Sequence, residues 1–158
     1  MARRNIVTLG SETLRKKSKP VVDFDESLGD LLDDMRQTMV ETRGVGIAAV
    51  QVGVLRRAVI IEIEPKKYLE IINPQILKTR GMVKDAEGCL SVPGFYCDVE
   101  RPKYVKIIAQ DRHGEAFEFE AHDYLARCVC HELDHLDGVL FVDLSEEGKK
   151  YKKQQGVL

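Results

Sequence analysis

The sequence lacks an excess of either charge, a long apolar run and a large number of cysteines, and each shortage excludes a class of protein. Its 24 Lys and Arg nearly balance its 26 Asp and Glu, so the net charge of −2 gives no electrostatic basis for nucleic acid as the main partner. No apolar run approaches the roughly 18 residues of a membrane helix, and no apolar segment of a secretory signal follows MARRNIVTLG. The four cysteines are therefore expected as thiols, ligands or core residues rather than disulfides. We predict a cytoplasmic protein without a membrane partner.

The length and the composition of the chain indicate one globular domain. A chain of 158 residues that is 44% hydrophobic and 32% charged is long enough to bury a core. We predict a single catalytic domain over residues 1–158, without internal repeats or linkers. Residues 145–158, SEEGKKYKKQQGVL, are polar and rich in lysine, so we expect a polar tail there that is solvated or frayed.

The spacing of apolar residues divides this domain into helices and strands. Residues 25–43 have helical spacing, whereas residues 44–53 are rich in glycine and are expected to be irregular and extended. The period then shortens to that of strands, which we place at residues 54–63, 68–72, 76–83, 104–109 and 115–121. A second helix, apolar around much of its circumference, is predicted from Asp123 to Asp137. The predicted fold is α+β, with small antiparallel sheets packed around this buried C-terminal helix.

The C-terminal helix carries the pattern H-E-x-x-H. His131 and His135 are four residues apart, so their imidazoles lie on one helix face and can reach one metal ion. Glu132 lies beside that ion and is placed to accept a proton from water. The pattern predicts a metal-dependent hydrolase.

The sequence pattern of the helix does not identify the third protein ligand of the metal. Hydrolytic metal sites usually have three protein ligands and keep one position for water. Phe141 occupies the position where the extended motif of many zinc peptidases has another histidine. Cys128 shares the helix face but is expected in the core, and Cys89 is either a ligand or a buried structural cysteine. A peptidase that uses Asp143 or Glu147, and a structural site completed by Cys128, are the alternatives.

Three segments resemble the signature motifs of peptide deformylases, in the same order and at similar separations. They are GVGIAAVQ at 44–51, EGCLS at 87–91 and HELDH at 131–135, and the similarity extends over most of residues 5–145. The resemblance implies a metallohydrolase that removes the N-formyl group from the initiator methionine of nascent peptides and releases formate. It implies that water activated by the metal attacks the formyl carbon, with Glu132 as general base. The short tail and the absence of an insertion resemble the bacterial type-1 group.

The resemblance also implies roles for residues outside the helix. The metal ligands would be Cys89, His131 and His135, and the ion is expected to be Fe(II), with zinc, nickel or cobalt able to occupy the same site. The side-chain amide of Gln51 and the backbone N–H of Leu90 would stabilise the oxyanion that forms during hydrolysis.

Further positions would bind substrate or support the ligands. The backbone of Gly46 would pair with the peptide, and Val45 would line the methionine pocket together with Leu90. Glu87 and Arg101 would form a supporting ion pair, for which an exposed surface pair is the alternative.

Two positions depart from the family pattern, and both bear on substrate preference. Tyr96 stands where some members have arginine, and Arg127 stands where others have an apolar pocket residue. The expected partners are N-formylmethionyl nascent peptides, with a transient ribosome contact and no sequence-specific binding of nucleic acid.

Overall fold

Within residues 2–157, which a computed structural model describes, the chain forms three α-helices and five β-strands. Met1 and Leu158, the ends of the predicted domain and tail, lie outside the described residues. In chain order the elements are α1 (Glu26–Glu41), β1 (Gly46–Ala48), β2 (Ala58–Glu64), β3 (Lys67–Cys89), β4 (Val92–Gln110), β5 (Ala116–His122), α2 (Asp123–His135) and α3 (Glu146–Gln154). Short 3₁₀ helices lie at Glu12–Arg15, Ala49–Val52 and Phe141–Leu144. None of the helices in this part of the chain combines the length and the apolar character needed to cross a bilayer.

The strands form one antiparallel sheet in the order β1-β2-β3-β4-β5. The α+β class with a buried C-terminal helix is therefore confirmed, and the small predicted sheets are joined by backbone hydrogen bonds into a single sheet. Strands β3 and β4 form a long hairpin, at whose tip Cys89 pairs with Val92. The hairpin thus places Cys89 beside a tight turn.

The predicted strands at 68–72 and 76–83 are parts of the single strand β3, which continues to Cys89. Two local features explain why the sequence did not predict one continuous strand. Register shifts near residues 72–78 interrupt the period of two, and residues 75–86 are exposed, so they carry no alternation of buried and exposed positions. Strand β4 likewise begins earlier than predicted, at Val92.

Helices cover both faces of strand β2. Leu28, Leu32 and other apolar residues of α1 pack with Ala58 and Ile60, which confirms the predicted apolar face of this helix. Val59 and Ile61, which alternate with them, belong to a second cluster that includes Val129 and Leu133 of α2. Each fully buried Leu or Ile contributes about 1.5–3 kcal/mol relative to an exposed side chain. Burial on both faces explains why β2 is apolar without alternation.

Residues 145–157 are polar and mostly exposed, but they are not frayed over most of their length, because the chain forms α3 at Glu146–Gln154. The Ser145 hydroxyl accepts a hydrogen bond from the Gly148 N–H at 3.0 Å and caps the helix. Tyr151 stacks on Phe95 with ring centroids 3.9 Å apart, and Lys152 pairs with Asp143 at 2.5 Å. The lysine-rich sequence did not predict this helix, because an aromatic contact and an N-terminal cap stabilise it and it has no broad apolar face.

Candidate active site

Helix α2 presents the H-E-x-x-H residues in the protein interior. His131 is 7% exposed and His135 is 1% exposed, and their ring centroids lie 5.2 Å apart. Burial lowers the pKa of His135 well below its ordinary value, so this imidazole is neutral and has a lone pair for a cation. Burial opposes charge on His131 too, but hydrogen bonds to Cys89 and Glu87 raise its pKa well above the ordinary value. The carboxylate of Glu87 and the thiol of Cys89 thus favour a positive charge at His131.

Cys89 approaches the two histidines from the tip of the β3–β4 hairpin. Its Sγ lies 3.4 Å from His135 Nε2, and one ligand atom from each of Cys89, His131 and His135 lies within 4.8 Å of the other two. No second group of this kind occurs within residues 2–157. A thiolate with two imidazoles suits borderline divalent ions, and three protein ligands leave a position for water. The donor set fits a catalytic metal ion.

A buried ion pair holds His131. Its Nδ1 lies 2.5 Å from Glu87 Oε1, and Arg101 donates to both oxygens of Glu87 at 2.9 and 3.0 Å. Burial alone would raise the pKa of Glu87, but the hydrogen bonds from His131 and Arg101 lower it to about 2. With Glu87 7% and Arg101 4% exposed, the alternative of an exposed surface pair is wrong. Because Nδ1 faces Glu87, the other ring nitrogen of His131 is available to a metal.

Glu132 lies against the backbone of Gly46. A Cβ added at Gly46 would lie only 2.7 Å from Glu132 Oε2, so glycine is required for the carboxylate to occupy this position. The other oxygen, Oε1, is buried and has no hydrogen-bond partner in the described part of the chain. Burial raises the pKa of Glu132 to about 7, and the charge of Glu87 adds to this effect, while His131 opposes it. A carboxylate with such a pKa can both accept and return a proton near neutral pH.

Gln51 and Leu90, the two expected oxyanion donors, lie next to Cys89. Gln51 is buried, its side-chain oxygen accepts from the Ala48 N–H at 2.9 Å, and its Nε2 donates to Ser91 Oγ at 3.1 Å. The same Nε2 lies 3.6 Å from Cys89 Sγ, so the amide N–H groups face the ligand cluster. Leu90 lies in the turn of the hairpin, directly after Cys89.

A cavity of about 580 Å³ opens beside these residues. Its lining includes Val45, Gly46 and Leu90, for which we predicted substrate binding, together with Tyr96 and Tyr124. Tyr96 is 70% exposed, and its ring packs so closely on Gly88 that an added Cβ at Gly88 would collide with it. Strand β1, which contains Gly46, is at the edge of the sheet and can pair with a further strand.

The residues of the two alternative sites do not join this ligand group. Asp143 bonds to Arg15 at 2.6 and 3.0 Å and to Lys152, and these bonds lower its pKa to about 2 against the effect of burial. Cys128 is buried in the core, and burial raises the pKa of its thiol to about 11. Neither these residues nor Glu147 belong to the group that can hold a metal.

Two residues of the buried network were not predicted as supporting residues. Asp134 accepts from Arg101 Nη1 at 2.5 Å, and Arg127 donates to Glu87 Oε2 at 2.7 Å. The helical spacing contained a signal for Arg127, because it lies four residues before His131 and so on the same face. The family resemblance instead related Arg127 to the pocket, since other members have an apolar pocket residue at this position, and Arg127 does line the cavity.

Comparisons with known proteins agree with this geometry. The family model for polypeptide deformylase matches residues 3–151. A peptide deformylase from Caldicellulosiruptor bescii is 52% identical over 99% of this chain and 96% of its own. A crystal structure of a peptide deformylase from Legionella pneumophila has a TM-score of 0.90 and 44% identity, with 98% of both chains covered. One from Synechococcus elongatus in complex with actinonin has a TM-score of 0.91 and 38% identity, covering 100% of this chain and 88% of its own.

Proposed function

Since the chain belongs to the polypeptide deformylase family, we propose that Cys89, His131 and His135 bind its catalytic metal and that Glu132 is its general base. The chain is a metal-dependent hydrolase that removes the N-formyl group from nascent peptides. The observation that carries the assignment of roles is the convergence of three ligand atoms within 4.8 Å of one another, next to the buried carboxylate of Glu132. The thiol and the two imidazoles can hold a divalent metal ion, and the carboxylate with a buried oxygen that lacks a hydrogen-bond partner can accept a proton from water.

The metal, when bound, supplies a Lewis acid that lowers the pKa of water and polarises a carbonyl oxygen. The chain provides the proton transfers. Glu132 accepts the proton of the attacking water as a C–O bond forms at the formyl carbon. It then returns a proton to the departing amine as the C–N bond breaks, so the products are formate and a free N-terminus.

Gln51 and Leu90 stabilise the charge that develops on the formyl oxygen. The side-chain amide of Gln51 is held by its bond to the Ala48 N–H, which orients its Nε2 toward the cluster. The backbone N–H of Leu90 adds a second donor from the tip of the hairpin. A preorganised donor of this kind commonly lowers the barrier by roughly 3 kcal/mol.

The peptide binds as an added strand along the edge strand β1. Main-chain pairing at Gly46 would fix the peptide beside Glu132, because the two residues are already in contact. The half-exposed Val45 and Leu90 line the cavity that receives the methionine side chain. Main-chain pairing selects for a peptide, and the cavity selects for its first side chain.

The ion and the cellular context form the finer part of the proposal. We expect Fe(II), with zinc, nickel or cobalt able to occupy the site. The enzyme acts in the cytoplasm and contacts the ribosome transiently, and the exposed Lys150 and Lys153 of α3 offer positive charge for that contact. We expect no sequence-specific binding of nucleic acid by this enzyme.

The decisive experiment is formate release from a formyl-methionyl peptide by protein purified without oxygen, with metal content measured on the same sample. The matched variant is Glu132→Gln, which has nearly the same size but cannot accept a proton. We expect this variant to retain metal and to lose about 10²–10⁴-fold in kcat. Near-normal turnover by metal-loaded Glu132→Gln protein would contradict the assignment of the base.

A further inference from the structure

Arg127 is a buried cation that the proposed chemistry does not use. Its side chain is 6% exposed, and it extends from α2 toward the β3–β4 hairpin. Nη1 donates to Glu87 Oε2 and to the backbone oxygen of Val99, both at 2.7 Å, and Nη2 donates to the backbone oxygen of Val83 at 2.7 Å. One guanidinium thus joins the helix to both strands of the hairpin.

These bonds connect the two elements that supply the metal ligands. Cys89 is at the tip of the hairpin, whereas His131 and His135 are on α2, so the ligand geometry depends on how the hairpin sits on the helix. Arg127 bonds to β3 at Val83 and Glu87, and to β4 at Val99. It is one helical turn from His131, on the same face.

Arg127 also completes the bonding of the carboxylate that orients His131. Glu87 Oε1 receives bonds from His131 and Arg101, and Oε2 receives bonds from Arg101 and Arg127. With these four bonds the buried carboxylate cannot rotate without breaking at least one of them. Groups that orient a ligating histidine commonly change metal affinity by 10–100-fold when they are removed.

We infer that Arg127 is a positioning residue that fixes Cys89 relative to His131 and His135 by tying the hairpin to α2. The inference rests on the proposed metal site. A lysine cannot replace this arginine fully, because a single ammonium has no planar fork with which to reach three acceptors at once. Loss of the guanidinium also leaves the buried oxygen of Val99 without this donor, which loosens the hairpin where it meets the helix.

The test measures cobalt binding by metal-free wild-type, Arg127→Met and Arg127→Lys proteins. The readouts are the dissociation constant of Co(II) and the absorption band that a cobalt–thiolate bond produces, which reports on Cys89 directly. We expect Arg127→Met to bind cobalt about tenfold more weakly with a diminished thiolate band, and Arg127→Lys to lose at least threefold. A loss below fivefold for a folded Arg127→Met protein overturns the inference.

The matched control is Arg112→Met. Arg112 also makes three bonds, to Glu70 at 2.6 and 2.8 Å and to Asp33 at 2.9 Å, but it lies away from the ligands. Its variant is expected to unfold more easily and to keep cobalt affinity within twofold. An equal loss of affinity in both variants overturns the inference, because general destabilisation would then explain it.

Two further outcomes are decisive. If Arg127→Met does not fold, Arg127→Lys decides the inference, and a loss of less than threefold overturns it. Formate release is measured on the same wild-type protein, so the two proposals can fail separately. Wild-type protein that shows the thiolate band but releases no formate overturns the proposed reaction alone, whereas wild-type protein without that band overturns the metal site and the role of Arg127 together.

Discussion

Adding one methyl group at Gly46 should disable the general base while sparing the metal. The Cβ of Gly46→Ala would lie 2.7 Å from Glu132 Oε2 and 2.9 Å from its Cγ, whereas ordinary contact begins at 3.4 Å. The carboxylate must therefore retreat by about 0.7 Å. Because a displacement near 1 Å at a reacting centre costs roughly 100-fold in rate, we expect kcat to fall by about 30–100-fold.

The assay is formate release at saturating formyl-methionyl peptide, with metal content determined for each preparation. Gly29→Ala serves as the control, since its added Cβ would meet only the end of Arg112 at 3.6 Å, within helix α1. That variant should keep full activity and gain about 0.5–1 kcal/mol in unfolding free energy. Fully metallated Gly46→Ala protein with kcat within threefold of wild type would refute the placement of Glu132 against the backbone.

Two further predictions concern the cysteines and the partly buried Asp143. Cys89→Ala should abolish metal retention, while Cys128→Ser keeps both metal and activity; metal analysis after dialysis decides, and metal loss from Cys128→Ser would instead indicate a structural site. Asp143 has its pKa lowered from 3.8 to about 2, chiefly by Arg15 and Lys152 acting against burial, so its stabilisation is complete above pH 3.8 and is lost as pH falls toward 2. Asp143→Asn should therefore lower the unfolding free energy by about 2 kcal/mol at pH 7. Urea titrations should show that the difference between the variant and the wild type shrinks as pH approaches 2. A difference independent of pH would contradict the ion pairs of Asp143.

The parts of the site that follow local rules could be predicted from the sequence. Helical spacing placed His131 and His135 on one face with Glu132 next to them, because the period of 3.6 residues is a local property of the helix. Cys89 could not be found in that way, since its approach depends on a hairpin whose two strands pair residues far from the motif. The resemblance to a family supplied what local spacing could not.

Features that depend on contacts between distant parts of the chain could not be predicted from the sequence. Strand β3 is longer than its apolar pattern because residues 75–86 are exposed, and α3 is a helix because of the Ser145 cap and the stacking of Tyr151. The role of Arg127 could not be predicted either, because its three acceptors lie on β3 and β4, far from α2 in the sequence. Tertiary contacts, rather than propensity, determine each of these features.

The place of α2 in the chain bears on how the protein is made. The helix fills the cluster against β2, β4 and β5, yet it begins only at Asp123, after all five strands. Until the ribosome has released that segment, the apolar side of the sheet has no cover, and a chain stopped before it would present that surface to other chains. The core can therefore close only after residues 123–135 have been made, and the metal ligands on α2 assemble in the same step.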